Sequence, residues 1–163
     1  ERFPAYIHSI YGIPKSFLEI IKYGKKKNLD YVVICEDDLY IIDSNKVNEC
    51  LNNPPDDWDM LSGGVYYFSS NDQGEHDKPW RKLLDYCSMH FVIIRNTMYQ
   101  KILDINEYGN IDRIIGKWIK EHHFNIYVMY PMPCKQRSGY SNLQKRHVDY
   151  NHLKLPWIKK IQN

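Results

Sequence analysis

Apolar residues fall along this chain in two alternating rhythms, one helical and one extended. Over 14–27, Phe17, Leu18, Ile20, Ile21 and Gly24 share one broad helical face, and Pro14 suits a first turn. Asn28-Leu29-Asp30 breaks that helix. Residues 31–35 (YVVIC) are a short continuous apolar run, the pattern of a strand buried on both faces. Glu36, Asp37 and Asp38 end the run, 39–42 predicts an extended continuation, Ser44 opens a short helix, and Asn53-Pro54-Pro55-Asp56-Asp57 is a loop. A second strand is expected over 60–68, interrupted at Gly63-Gly64, where the backbone would approach a ligand closely. Residues 70–79 are polar and turn-rich. A third strand over 89–94 leads to a helix capped by Asn96 and carrying Met98, Ile102 and Leu103. Asn110 or Asp112 caps the next helix, with Ile111, Ile115, Trp118, Ile119 and His122 on one face, and 125–130 is a fourth strand. From Pro131 onward the pattern is loop-like, with a short helix near Trp157. Strands alternating with helices at this spacing predict an α/β sandwich around a mostly parallel sheet.

A length of 163 residues suits one domain with a real core, and 43% hydrophobic with 26% charged residues is ordinary for a folded chain. The formal charge of +2 gives no broad basic field, which argues against a nucleic-acid partner. No apolar stretch reaches the length of a membrane span. Cys35, Cys50, Cys87 and Cys134 lie far apart without a C-x-x-C pair, so a zinc ribbon is not expected, and Cys35 reads as a buried free thiol. That pattern fits the cytoplasm.

The acidic triplet is the feature that carries chemistry. In open α/β sheets, ligands bind beyond the carboxyl ends of strands, and Glu36-Asp37-Asp38 stands at such an end. Three adjacent carboxylates repel one another unless a cation or basic groups compensate. In an extended segment Glu36 and Asp38 point to one side and Asp37 to the other. Oxygen donors of this kind suit Mg²⁺ or Mn²⁺; the alternative is a solvated acidic turn or a helix-capping cluster.

The run 31–39 (YVVICEDDL) resembles the strand and "EDD" turn of glycosyltransferase family 25, the group of lipopolysaccharide and collagen galactosyltransferases and related viral enzymes. Gly12 and Ser16-Phe17 leading into Ile20-Ile21-Lys22-Tyr23 are similar to the segment ahead of that strand. Trp58-Asp59-Met60-Leu61 with Gly63-Gly64 resembles the family's "WD-hydrophobic … G" strand. His90-Phe91-Val92-Ile93-Ile94, followed by Tyr99, Ile102 and Leu103, resembles the acceptor-side strand and helix. Pro133, Gln136, Ser138 and Ser141-Asn142-Leu143 resemble the closing "P…Q…S-D-I" stretch, with Asn142 where the family usually has Asp. Order and gaps agree over about residues 5–145.

The resemblance implies a single GT-A domain over 1–163, lacking the first strand and helix that help hold the nucleotide base. It implies hexose transfer (glucose or galactose) from a UDP-sugar to a hydroxyl on a glycan or protein, with inversion and with Mn²⁺ or Mg²⁺ as cofactor. Asp38 is then the leading metal ligand and Glu36 and Asp37 the supporting ones, with a further ligand from His147 or His152. Both histidines also read as surface residues, and His122-His123 as a helix end. Inversion needs a carboxylate base near the acceptor hydroxyl. Asp112 is the first candidate, although an N-cap explains it too, and Asp59 is the second. Gly63, Gly64, His90, Gln136, Arg137, Ser138, Ser141 and Asn142 fall on the donor or substrate side, Arg137 as a phosphate clamp. The resemblance leaves a secretory lumen open as the compartment. Richness in Lys, Asn, Ile and Tyr fits an A/T-rich genome, such as a virus, and hence host cytoplasm or virion. Two other classes compete: a sugar- or nucleotide-binding domain without turnover, and a metal-dependent phosphohydrolase or nuclease.

Overall fold

The computed structural model describes residues 15–69, 79–105, 110–141 and 145–150. Helix α1 spans Lys15–Lys26 and buries Phe17, Ile21 and Gly24, with Leu18 and Ile20 partly covered. It stops at Asn28, which takes the left-handed conformation (φ 52°) while the Leu29 amide donates to the Gly24 carbonyl. The chain then enters β1 (Tyr31–Cys35), β2 (Leu39–Ile41), α2 (Ser44–Asn52, capped by the Asp43 carboxylate on the Lys46 amide) and β3 (Met60–Ser62). Next come β4 (Tyr67–Ser69), β5 (Trp80–Lys82), β6 (Asp85–Cys87) and β7 (Phe91–Arg95). A 3-10 turn at Asn96–Met98 leads into α3 (Tyr99–Leu103), followed by α4 (Ile111–His122) and β8 (Ile126–Met129). Three short strands close the described chain: β9 (Cys134–Gln136), β10 (Gly139–Ser141) and β11 (Arg146–Val148).

The central sheet has the order β1-β7-β3-β8-β5. Period-2 alternation sorts its side chains into two cores. Val32, Ile34, Met60, Val92, Ile94, Ile126 and Val128 pack toward α1, α3 and α4. Leu61, Phe91, Ile93 and Met129 pack toward Val47 and Cys50 of α2. The α/β layering expected from the sequence is therefore present, but the sheet direction is not. Only the β3–β8 ladder is parallel; β1–β7, β3–β7 and β5–β8 are antiparallel. The expected parallel sheet assumed a helix between successive strands. Between β3 and β7 the chain instead runs through the β4–β6 ribbon and β5, which need no helical crossover.

Two local expectations also change. β1 alternates exposed and buried, with Val33 48% exposed and Cys35 open to solvent, so it is a one-faced strand at the sheet margin among the described residues. Gly63-Gly64 ends β3 rather than interrupting one strand, and the close approach there is internal. A Cβ on Gly64 would lie 2.2 Å from the Cys134 carbonyl oxygen and 2.8 Å from His90 Nε2. One on Gly63 would meet the Phe91 ring at 2.7 Å and Cys134 Sγ at 2.8 Å. Ser138, Ser141 and His147 fall on or beside the β10–β11 hairpin rather than in loop. The helix expected near Trp157 lies outside the described residues.

No helix among the described residues is long and apolar enough to cross a membrane, and all four cysteines are free thiols. Gly64→Ala is expected to lower the unfolding free energy by about 3 kcal/mol, the upper end of the range for overpacking against atoms that cannot move aside. Gly139→Ala, whose Cβ would meet nothing within 4 Å, should stay within about 0.5 kcal/mol. Urea titration of both variants measures the difference.

Candidate functional site

Strands β1, β3 and β8 run in one direction although β7 lies between β1 and β3. Their carboxyl ends therefore share one edge of the sheet, which gathers the acidic triplet, Gly63-Gly64 and the segment leading into β9. That segment crosses the glycine pair, where the Cys134 amide donates to the Gly63 carbonyl at 3.1 Å. It then pairs antiparallel with β2, setting Gln136 opposite Leu39.

The triplet is a tight turn rather than an extended segment. The Leu39 amide donates to the Glu36 carbonyl at 3.1 Å, and the Glu36 amide donates to the His90 carbonyl at 3.1 Å. Glu36 and Asp38 nonetheless face a common partner. Gln136 Nε2 donates to Glu36 Oε2 at 2.8 Å and to Asp38 Oδ2 and Oδ1 at 2.9 and 3.2 Å. An amide with two hydrogens serves three carboxylate oxygens, so acceptor capacity exceeds the donors supplied. Arg137 holds the turn from its other side through its amide to the Asp38 carbonyl (2.8 Å) and its guanidinium to the Leu39 carbonyl (3.3 Å).

These carboxylates are reluctant to ionise. Glu36 is pushed up to about 7, first by burial and then by the charges of Asp38, Asp112 and Asp37. Its side chain still reaches solvent. Asp38 is raised by burial and by Asp37, against the lowering effect of Gln136 and Arg137. The charge of Asp112 acts on Glu36 and, with Glu36, on the buried Tyr86 hydroxyl, so the two carboxylates stand within electrostatic reach of each other.

Asp112 sits in the first turn of α4, two residues beyond the positional cap Asn110, whose side chain makes no capping bond. Oδ1 accepts from the Arg113 amide at 2.8 Å and Oδ2 from the Cys87 thiol at 3.3 Å. Gly116 lets α4 press onto β6, because a Cβ there would lie 2.8 Å from the Tyr86 carbonyl oxygen. Arg113 locks the same contact, donating to the Tyr86 carbonyl at 2.8 Å and to Asp85 Oδ1 at 3.3 Å.

Asp59 stands elsewhere. It is level with Tyr31, because Arg95 pairs with Tyr31 and donates its amide to the Asp59 carbonyl. Four residues of strand separate that level from Cys35, roughly 13 Å at strand rise. Thr97 Oγ1 and the Asn125 amide occupy its two oxygens at 2.8 and 3.0 Å. Asp59 therefore stands at the far end of the sheet from the acidic turn, with both oxygens engaged.

His90 supports the turn through its backbone, while its ring is buried with 2% exposure. Nδ1 is 2.5 Å from Ser88 Oγ. Nε2 makes no hydrogen bond of good geometry, although the Cys134 carbonyl lies near enough to oppose part of the shift. Burial prevails and lowers the ring to about 4. Ser138 Oγ is engaged with Asp149 Oδ1 and with the Tyr150 amide, both at 2.9 Å. Ser141 pairs across the hairpin with Arg146, and His147 is exposed on β11 with its ring against Tyr140. Asn142 and His152 lie outside the described residues.

Two contributors were missed by sequence reasoning. Cys87 has no motif around it, and Tyr66 lies in a segment expected to be strand. The Tyr66 ring stacks on Tyr150 at 5.3 Å, and the charges of Asp38 and Glu36 reach its hydroxyl. No protein-family model and no curated protein sequence matches this chain.

The two shifted groups act on stability with opposite sign. His90 binds fewer protons folded than unfolded between pH 4 and 6.5, so its contribution is lost on acidification through that window. Glu36 binds more protons folded than unfolded between pH 4.5 and 7, so its contribution falls as pH rises. Glu36→Gln should therefore gain stability over the unmodified chain progressively from pH 4.5 to 7 and hold a constant gain above it. Urea midpoints at half-unit pH steps check the trend.

Proposed function

We propose that this chain is a metal-dependent glycosyltransferase of GT-A type. It moves a hexose, glucose or galactose, from a UDP-sugar to a hydroxyl on a glycan or protein acceptor, with inversion. One observation supports the reading: the acidic turn gathers Glu36 and Asp38 on the Gln136 amide, and the charge of a separate carboxylate, Asp112, reaches Glu36. The resemblance of residues 31–39 to the family 25 strand and turn adds to it.

The donor set fits a hard divalent cation. Glu36 and Asp38 offer oxygens that outnumber the amide hydrogens of Gln136, and mutual repulsion and burial keep both from ionising freely. Asp38 and Glu36 would hold Mn²⁺ or Mg²⁺. When bound, the ion supplies Lewis-acid stabilisation of the charge that grows on the departing diphosphate. Among the described residues no three metal-capable side chains cluster, so Asp38 and Glu36 would be the holding pair, Asp37 would stand outside it, and phosphate oxygens and waters would have to complete the shell.

The chain's own groups have distinct tasks. With a cation held by Glu36 and Asp38, the Gln136 amide would be free to donate to the sugar or diphosphate. Arg137, anchored beside Asp38, offsets phosphate charge. Asp112 takes the proton of the acceptor hydroxyl as that oxygen attacks C1 from the face opposite the leaving group.

Incubation with Mn²⁺ and a panel of UDP-sugars tests the proposal. Transfer or donor hydrolysis should vanish in Asp38→Ala, and Asp112→Asn should lose about 100-fold or more in transfer while still binding Mn²⁺. Donor binding without turnover on any sugar would identify a binding domain, and cleavage of phosphodiesters a hydrolase. Because a proton on Glu36 competes with the cation, Mn²⁺ affinity should climb with pH and level off above about 7. Calorimetric titration at several pH values reads that dependence.

A further inference from the structure

Cys87 is the one thiol in contact with a carboxylate of the cleft. We propose that Cys87 is a positioning residue for Asp112, its thiol fixing which lone pair of the carboxylate faces the acceptor hydroxyl. The proposal rests on the reading of Asp112 as the base. The contact is 3.3 Å from Sγ to Oδ2, while Oδ1 is held at 2.8 Å by the Arg113 amide. The carboxylate is thus pinned at both oxygens, and Oδ2 keeps a second lone pair for a substrate proton.

A thiol suits this task because it is a weak, neutral donor. A cation at the same point would orient Asp112 equally well but would suppress its basicity. Arg113, the nearest cation on α4, is directed instead to Asp85 Oδ1 at 3.3 Å and to the Tyr86 carbonyl at 2.8 Å. Lys120 points the same way, 3.7 Å from Asp85 Oδ2. Asp85 on β6 thus takes the direct contacts of both cations, although the Arg113 charge still reaches Asp112. The thiol itself stays protonated and able to donate: burial and then the Asp112 charge push it up to about 11. Gly116 brings α4 close enough to β6 for the contact to form one turn earlier in the helix.

Cys87→Ala and Cys87→Ser separate positioning from packing, since serine keeps a donor in nearly the same volume. Loss of one neutral hydrogen bond should cost Cys87→Ala about two- to tenfold in kcat, with donor KM unchanged. The acid limb of its pH profile should move upward, because the ionised carboxylate has lost a donor. Cys87→Ser should restore both. Superimposable pH profiles, or a serine variant no better than alanine, would overturn the proposal. Infrared spectroscopy of the S–H stretch supplies a readout independent of turnover. The Cys87 band, assigned by difference against Cys87→Ser, should lie below the free-thiol frequency and rise to it in Asp112→Ala. A band indifferent to Asp112→Ala rejects the contact. A lowered band in a protein inactive on every UDP-sugar rejects the transferase reading and leaves the thiol–carboxylate contact standing.

Discussion

The crossing of the β8–β9 segment over Gly63-Gly64 is the constraint on which the cleft depends. With the Cys134 carbonyl 2.2 Å from where a Gly64 Cβ would stand, the chain passes only because that side chain is absent. Once across, it continues the ladder with β2, and Gln136 and Arg137 arrive at the acidic turn as a geometric consequence. Beneath the crossing, the buried His90 ring and the Phe91 side chain fill the space that the glycines leave. Packing and site assembly are a single event at this edge of the sheet.

The electrostatics follow from the same assembly. Carboxylates brought together at a half-buried edge lose water and gain like-charged neighbours, and both effects oppose ionisation. Gln136 relieves part of that tension with a dipole where a full positive charge would relieve more. Around Asp112 the arrangement differs. Asp85 collects Arg113 and Lys120, leaving Asp112 with an amide and a thiol as its partners.

Much of this was legible in the chain. Helices α1 and α4 and strands β1, β7 and β8 appear within a few residues of where apolar periodicity puts them, because each buries a continuous face. The grouping of Glu36 with Asp38 against Asp37 also survives, although a turn rather than an extended backbone produces it. Strand direction was not legible, since alternation is the same whichever way a strand runs. Nor were the three-residue strands β5, β6, β9, β10 and β11, too short to display a period and held in place by their partners. Asp59 directly precedes β3 and so stands at the opposite end of that strand from Gly63-Gly64. Cys87 and Gln136 acquire meaning only through partners 25 and 100 residues away.

The marginal place of β1 has its own consequence. Among the described residues the strand that delivers the acidic turn is laddered to β7 alone, with one face toward solvent. Its amides are expected to exchange through local opening more readily than those of the β7-β3-β8 centre, although Val32 and Ile34 belong to the shared core. Any ligand that bridges the turn to Asp112 would add its binding energy to β1 first. Occupancy would then register as slower hydrogen exchange in that strand before it altered the melting of the whole molecule.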